Sequence, residues 1–385
     1  MNKIVLVSSI QVFPPMSGGQ LRTANVSLAL AKLGYDVSIY SLTGRKEQYL
    51  KSASSFHQDI EPGVSEFVNM NPFLGLVQFL FYRLNLPPFW VTWLLQIFIP
   101  KKLKTLLAQG DLVILDFPFL YPLFKKIKTA KWLNTHNAEF ELWNSPTISS
   151  MVKTIEGKAI TQADKILFCS EKDLEVFLKI DPAIEAKSCI VSNGVDLSKY
   201  KSDENLRFAI RQQLNAQGKK IFLFTGSSYD PNREAFEFLK SFCAENRNAL
   251  LALNILVLVA GTVSMEKVDE DHFKVLGRVD DLIPYFLASD FGFNPVTQGS
   301  GMNVKMIEYM AAGLPLVSSP FGCRGLELSH GESVMTFERS QLLEAMKGVL
   351  SLTPEVQHQW VQTAFKKNEE RIDMVKALQK TGLRL

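Results

Sequence analysis

The sequence predicts an α/β protein with two open parallel sheets, each layered with helices. Three observations predict it. Short apolar strand patterns alternate with helical ones along the whole chain, which implies parallel strands joined by crossovers. The series runs twice, once on each side of Asn193-Gly-Val-Asp196. The length of 385 residues exceeds one ordinary core and suits two domains of roughly 150–200 residues each. The expected division is 1–195 for the first domain and 196–359 for the second, with a last helix at about 360–385.

In the first domain, Lys3-Ile-Val-Leu-Val-Ser8 reads as a buried strand and Pro14 to Gln20 as a loop rich in Gly and Pro. Leu21, Ala24, Leu28 and Ala31 then recur at spacings of three and four, the period of a helix. Gly34 suits its C-terminal cap. Val37 and Ile39 alternate with polar residues, as in a strand. Further strands are expected at 111–115, 130–134, 165–169 and 188–191.

After Leu197 the polar run Ser198 to Asn205 reads as a linker. Strands follow near 220–225, 253–260, 273–276, 290–294 and 314–318. Helices are expected at 231–247, 281–288, 303–312 and 338–350. Trp360, Phe365, Ile372, Val375 and Leu378 then mark a final helix. No short repeat is present. Sheets of this kind bind ligands at the carboxyl ends of their strands, so a cleft between the domains is the expected site.

Composition narrows the partners. The chain is 46% hydrophobic and 21% charged, with a net charge of +3. That balance calls for no nucleic acid. Cys169, Cys189, Cys243 and Cys323 form no C-x-x-C pair, so neither a zinc nor a redox motif is expected. With no secretory signal pattern at the start, the cysteines fit a reducing cytoplasm. Residues 72–99 are crowded with Phe, Leu, Trp and Ile, but Arg83 and Pro87-Pro88 divide the run. Each piece falls short of the ~20 residues of a spanning helix. Lys101, Lys102 and Lys104 follow, and a second apolar and basic run spans 117–128. Two readings stand: helices buried in the first domain, or a surface lying on an anionic membrane.

The most informative stretch runs from Asn294 to Pro315. A strand ends, a glycine loop follows with Gly299 and Gly301, and a helix is expected to begin between Gly301 and Asn303. Ser300, Gly301, Met302 and Asn303 would then offer free backbone amides to an anion, with the helix dipole assisting. Lys305 falls in the first turn, where it can neutralise a phosphate. Glu308 falls roughly 7–8 Å along the axis at ~1.5 Å per residue. That separation suits a diphosphate and the ribose of one nucleotide, whose two hydroxyls a carboxylate can accept. The plainer reading is a surface ion pair at spacing i, i+3.

This stretch resembles the signature of the group 1, family-4-type retaining glycosyltransferases, which have the GT-B fold of two facing Rossmann-like domains. Their pattern is a glutamate, seven residues, a second glutamate, then Ala-Ala-Gly-x-Pro. Glu308 matches the second glutamate, which the resemblance assigns to the ribose; the first falls at Ser300. Gly-Ser-Gly-x-x-x-Lys-x-x-Glu is similar to a sub-pattern in which small residues and a lysine replace it. Pro15-x-Ser-Gly-Gly-x-x-Arg22, with Gly18 and Gly19, is similar to the N-terminal glycine loop of the family. Ser192 to Asp196 resembles its interdomain segment, and Phe224-Thr-Gly226-Ser227 with Pro231-Asn-Arg233 resembles the opening of its second domain. There Ser227 and Asn232 stand where the family has a basic pair, so Lys305, Arg233 or Arg278 must supply the charge. Leu276 to Leu282, with Arg278 and Val279, and Ala288-Ser-Asp290 match segments flanking the base, and the resemblance implies that the last helix, about 360–385, crosses back onto the first domain.

In the first domain His136 falls just beyond a strand, where catalytic groups sit. It is a candidate for contacting a sugar or assisting proton transfer. Glu139 is a weaker candidate that also suits the next helix. Arg22 is a candidate guide for an anionic acceptor or the donor phosphates, or else a surface ion pair. Asp269-Glu-Asp271 has the look of a metal motif, but it sits in a polar loop away from the strand ends. The resemblance therefore implies transfer of a hexosyl group from a nucleotide diphosphate sugar to a glycan or lipid-linked acceptor, with retention and without metal. The rivals are a non-catalytic nucleotide-sugar binder and a nucleotide-sugar epimerase of the same fold.

Overall fold

The computed structural model describes residues 2–50, 54–299 and 303–383. The chain divides into unit 1, Met1–Ser192 with Met374–Leu385, and unit 2, Asn193–Asp373.

Unit 1 holds β1 (Lys3–Ser8), β2 (Asp36–Ser41), β3 (Phe56–Glu61), β4 (Val64–Val68), β5 (Leu112–Asp116), β6 (Ala130–Asn134), β7 (Lys165–Phe168) and β8 (Ser188–Ile190). They form one sheet in the order β3-β4-β2-β1-β5-β6-β7-β8. All pairings are parallel except β3 with β4. Its helices are α1 (Gly18–Lys32), α2 (Lys46–Tyr49), α3 (Pro72–Arg83), α4 (Phe89–Ile97), α5 (Lys101–Gln109), α6 (Pro146–Gln162) and α7 (Glu171–Leu178). The central strands read as continuous apolar runs because helices cover both faces.

Unit 2 holds α8 (Glu204–Gln213), β9 (Lys220–Thr225), α9 (Asp230–Glu245), α10 (Arg247–Ala252), β10 (Ile255–Ala260), β11 (Val268–Asp269), β12 (Phe273–Val275), α11 (Ile283–Ala288), β13 (Phe291–Asn294), α12 (Val304–Ala311), β14 (Leu316–Ser318), β15 (Met335–Thr336), α13 (Leu342–Leu350) and α14 (Pro354–Ile372). Its strand order is β11-β12-β10-β9-β13-β14-β15. All six residues of β10 are buried.

Two expectations need correction. The final helix does not cross back from about residue 360. Trp360, Ala364 and Ile372 of α14 lie in the cores of unit 2, and the helix stops at Asp373. Only α15 (Met374–Gln379) joins unit 1, where Met374, Ala377 and Leu378 pack against β1 and α1 residues. The polar run 198–205 is not a linker, because Leu197–Tyr200 forms a 3₁₀ turn whose Tyr200 packs into unit 2. The hairpin β3–β4 went unread because β3 alternates half-buried and exposed residues, Phe-His-Gln-Asp-Ile-Glu, with little apolar content.

The aromatic run 72–99 divides between both of its readings. Leu74 of α3 and Phe89, Trp90, Val91 and Leu95 of α4 are core residues. The outer faces of the same helices are exposed. Among the described residues, no helix is long and apolar enough to cross a membrane.

Candidate functional site

In unit 2 the chain winds outward from β9 in both directions, to β10 on one side and β13 on the other. Parallel sheets bind ligands at the carboxyl ends beside such a reversal. The Tyr309 hydroxyl of α12 fixes that corner. It donates to the Phe293 carbonyl at 3.1 Å and accepts the Thr225 amide at 3.0 Å. Helix α12 is thereby tied to the ends of β13 and β9, with its first turn beside them.

Lys305 is the second residue of α12. Its ammonium donates to Asn232 Oδ1 at 2.7 Å and lies 4.4 Å from the centroid of the Phe224 ring. Burial pushes its pKa down to about 7, against the opposing pull of Glu308 and with Arg324 adding to the fall. Asn232 is held in turn: its Nδ2 donates to the Ser227 carbonyl and hydroxyl, both at 3.3 Å. That orientation leaves the amide oxygen for Lys305. A lysine from α12 thus stands beside Asn232 and Ser227, the two positions that lack a basic side chain.

Glu308 lies one turn further along. It is half-buried, and its Oε1 accepts a long bond of 3.5 Å from the Tyr200 hydroxyl. Burial raises its carboxyl to about 7, with the Tyr200 bond and Lys305 pulling the other way. Burial and the adjacent Glu308 hold the Tyr200 hydroxyl well above its ordinary range, so it remains a donor. A buried ammonium and a half-buried carboxylate at one strand end suit an anionic, hydroxyl-bearing ligand better than they suit an empty core.

Arg324 follows the turn Phe321–Cys323 beyond β14. Its guanidinium lies 3.9 Å from the centroid of the Phe321 ring, and its Nη1 donates to the Phe321 carbonyl at 3.2 Å. Its field reaches Lys305. Neither Tyr200 nor Arg324 was legible as a site residue. The one signal for Arg324 was its place just past the carboxyl end of a strand.

The remaining candidates of the second domain are placed as follows. Ser300, Gly301 and Met302 lie outside the described residues. Asn303 is the N-cap of α12, which begins at Val304, later than expected. Its side chain does not cap the helix but donates to the Gly322 carbonyl at 3.0 Å. Gly299 has φ +127, and a Cβ there would meet Pro231 Cγ at 3.2 Å, so both its backbone and its surroundings require glycine. Gly226 continues β9, its amide bonded to the Ala260 carbonyl at 3.1 Å. Arg233 is exposed at the start of α9, 3.6 Å from Asp230, and is not drawn into the Lys305 cluster. Arg278 is exposed and Val279 half-exposed in the loop after β12, two strands from β9. Asp290 is a correction: it precedes β13, at the opposite end of the sheet, where Arg207, Arg211 and the Ile221 amide hold it. Asp269 and Asp271 pair with Lys274 and Lys219. Among the described residues no group of three or more His, Cys, Asp or Glu could hold a metal.

In unit 1 the strand ends β5 and β6 carry a second cluster. His136 lies two residues past β6, and its Nε2 donates to Asp116 Oδ1 at 2.9 Å. The Asp116 carboxylate also accepts Asn134 Nδ2 at 2.8 Å and the Thr23 hydroxyl at 2.9 Å. With Nε2 so engaged, Nδ1 is the other ring nitrogen. It faces the first turn of α1, where a Cβ on Gly19 would stand 3.1 Å away. Gly18 precedes it with open space around its Cα. Phe117, at φ +100, packs its ring 4.8 Å from the imidazole. A bulky residue at positive φ stores strain, which persists where neighbours over-determine it and gathers at functional sites. Glu139 is buried in the short turn Glu139–Leu142, not in the next helix, and burial raises its pKa.

Arg22 is the clearest correction. It is 2% exposed, and its guanidinium donates to Asn134 Oδ1 and to the Val191 and Leu167 carbonyls. It ties α1 to the ends of three strands and is closed to any ligand.

Comparison with known proteins adds the following. Residues 219–352 match the family model described as glycosyl transferases group 1. Among solved structures, the chain is similar to Anabaena HepE in complex with UDP and glucose, with 15% identity and a TM-score of 0.67, covering 98% of this chain and 98% of that one. It is similar to sucrose-phosphate synthase from Thermosynechococcus elongatus, with 15% identity and a TM-score of 0.66 over 99% and 98% of the two chains. It is also similar to a UDP-forming α,α-trehalose-phosphate synthase from Burkholderia xenovorans, with 13% identity and a TM-score of 0.66 over 99% and 98%. At such identities the likeness establishes the fold. No curated protein matches the sequence.

Proposed function

We propose, from a chain whose fold is GT-B and whose residues 219–352 match the group 1 glycosyltransferase family model, that the protein is a retaining hexosyltransferase using a nucleotide diphosphate sugar. The observation that carries this reading is the buried Lys305 and the half-buried Glu308 on one helix at the β9–β13 corner. Lys305, oriented by Asn232, is placed for a diphosphate, and Glu308 for the ribose hydroxyls. Arg324 is a second cation for the same phosphates. Two cations and a helix start can offset diphosphate charge without a metal ion. The descriptions of HepE and of the trehalose-phosphate synthase carry UDP and a UDP-forming activity, so UDP-sugars are the first donors to test.

In the proposed step the acceptor oxygen bonds the anomeric carbon on the face that the diphosphate leaves. The carbon–phosphate-oxygen bond breaks, and the departing phosphate oxygen takes the acceptor proton. His136, held by Asp116, binds the acceptor side. The acceptor is a glycan or a lipid-linked glycan, and the enzyme works in the cytoplasm in peripheral contact with a membrane. The rivals, a non-catalytic nucleotide-sugar binder and a nucleotide-sugar epimerase, would use the same Lys305 and Glu308; transfer to an added acceptor separates the transferase from both.

The test is a thermal-shift screen of UDP, GDP, ADP and CMP with their sugars, repeated on Glu308→Ala. One donor family should stabilise the protein, and the variant should lose that shift. Equal shifts in both proteins, or none in either, would end the reading.

A further inference from the structure

We infer that the outer face of α3 and α4 docks on an anionic lipid surface; this names the membrane-facing part of the proposed transferase and rests on that reading for its purpose.

A helix on a globular surface buries one stripe and shows a polar one to water. Helix α3 does not. Leu74, Val77 and Phe81 face the core at spacings of three and four. Phe73, Leu76, Phe79 and Leu80, on the other side, are exposed, Phe73 at 68%. Tyr82 and Leu84 extend that face, and Trp93, Ile97 and Phe98 of α4 continue it, Ile97 at 90%. The two helices meet where the rings of Phe81 and Trp93 stand 5.9 Å apart, edge to face. Among the described residues, one apolar face with aromatic residues is therefore left without cover in unit 1.

Charge decides what covers it. From Phe67 to Gly110 the sequence holds no Asp or Glu, while Arg83, Lys101, Lys102 and Lys104 are all exposed. Lys46 of α2 adds a cation 5.1 Å from the Phe79 ring, beside Glu47. A second copy of the chain would meet this patch with its own cations, because a two-fold interface sets a surface against itself. An anionic bilayer takes the apolar side chains below its headgroups and the cations among them. Tyr82 and Trp93 are the residue types that lie at that boundary.

The experiment is sedimentation of the full-length protein with vesicles of phosphatidylcholine alone or mixed with phosphatidylglycerol. The wild type should bind the mixed vesicles and not the neutral ones. Lys101→Ala with Lys104→Ala should weaken binding by about fivefold for each cation removed. Leu76→Gln, Leu80→Gln and Ile97→Gln together should abolish it, with the thermal midpoint kept because all three are exposed. No wild-type binding, or unchanged binding by the triple variant, would overturn the inference. So would a dimer in solution that the triple variant dissolves, which would give the face to a second copy. Nucleotide stabilisation is measured on the same proteins. Its presence without vesicle binding sinks the docking face alone, and its absence sinks the transferase reading.

Discussion

The Lys305 ammonium lies 2.7 Å from the amide oxygen of Asn232, a residue on the helix after β9. The contact joins two positions 73 residues apart that motif reading had to treat separately. One lacked an expected charge and the other had a charge without a stated place. Lys305→Met should raise the dissociation constant of the donor by about 10–100-fold, the worth of a hydrogen bond to a charged group. Asn232→Leu should cost less, and the double variant should fall short of the sum, because one residue acts through the other. Calorimetric titration with the donor found in the screen measures all three. Independent, fully additive losses would show that Asn232 does not orient the ammonium.

The same ammonium sets a pH dependence. Its pKa in the unliganded protein is lowered to about 7 by burial. Below that pH it is charged and ready for a diphosphate; above it, binding must first restore the proton. Donor affinity should therefore fall as pH rises past about 7, by up to about tenfold per unit. Lys305→Arg keeps its charge throughout and should flatten the alkaline limb. Glu308 also titrates at about 7, but its protonated form still accepts a hydroxyl, so the acid limb should be shallower.

Much of this corner was legible because its signals are local. Gly313 and Pro315 mark the end of α12, and the Leu314 amide duly returns to the Tyr309 carbonyl at 3.0 Å, with Gly313 at φ +69. Buried strands such as β9 and β10 announce themselves as unbroken apolar runs. What stayed hidden depends on convergence. Arg22 sits in a helix where an arginine ordinarily reads as surface, and only the meeting of Asn134, Leu167 and Val191 buries it. Glu66 is similar. It is fully buried on β4, where it accepts the Val12 and Phe13 amides and the Ser41 hydroxyl, a role no periodicity shows. Tyr200 was lost among polar neighbours for the same reason.

The assignment of Glu308 to a ribose can be tested apart from overall affinity. A carboxylate that accepts both vicinal hydroxyls should discriminate a ribonucleotide from its 2′-deoxy analogue. The wild type should prefer the ribonucleoside diphosphate by about 1 kcal/mol or more, the net worth of one hydrogen bond. Glu308→Ala should bind both weakly and alike. A preference that survives the substitution would place the ribose elsewhere.

Stability should fall with rising pH through a carboxyl group in unit 1. Glu156 is buried on α6 and accepts the Glu139 and Phe140 amides at 2.9 and 3.0 Å. Burial raises its pKa to about 8, with Glu139 and Asp173 adding repulsion and the two amides opposing the shift. Between the ordinary value of 4.5 and about 8, the folded protein keeps a proton that the unfolded chain has released. The unfolded state binds fewer protons, so unfolding becomes easier as pH rises across that window. The thermal midpoint should decline from pH 5 to pH 8, and Glu156→Gln should reduce the slope. An equal slope in both proteins would assign the effect to other groups.

The last expectation concerns the anomeric carbon. His136 bonded to Asp116 at 2.9 Å is an arrangement able to take a proton. The proposed retaining step does not need it for that, since the departing phosphate oxygen accepts the proton. His136→Ala should then lower kcat by less than about 10²-fold, the low end of what proton transfer contributes. Donor affinity should be unchanged if His136 serves the acceptor side, as proposed, and titration of the variant with the donor measures it. The new linkage should keep the configuration of the donor, read from the anomeric coupling in the NMR spectrum of the product. An inverted linkage together with a loss of about 10³-fold or more would give His136 and Asp116 the role of general base and its carboxylate partner. In that case Phe117 becomes informative, since the strain at φ +100 holds the ring against the imidazole that would have to receive the proton.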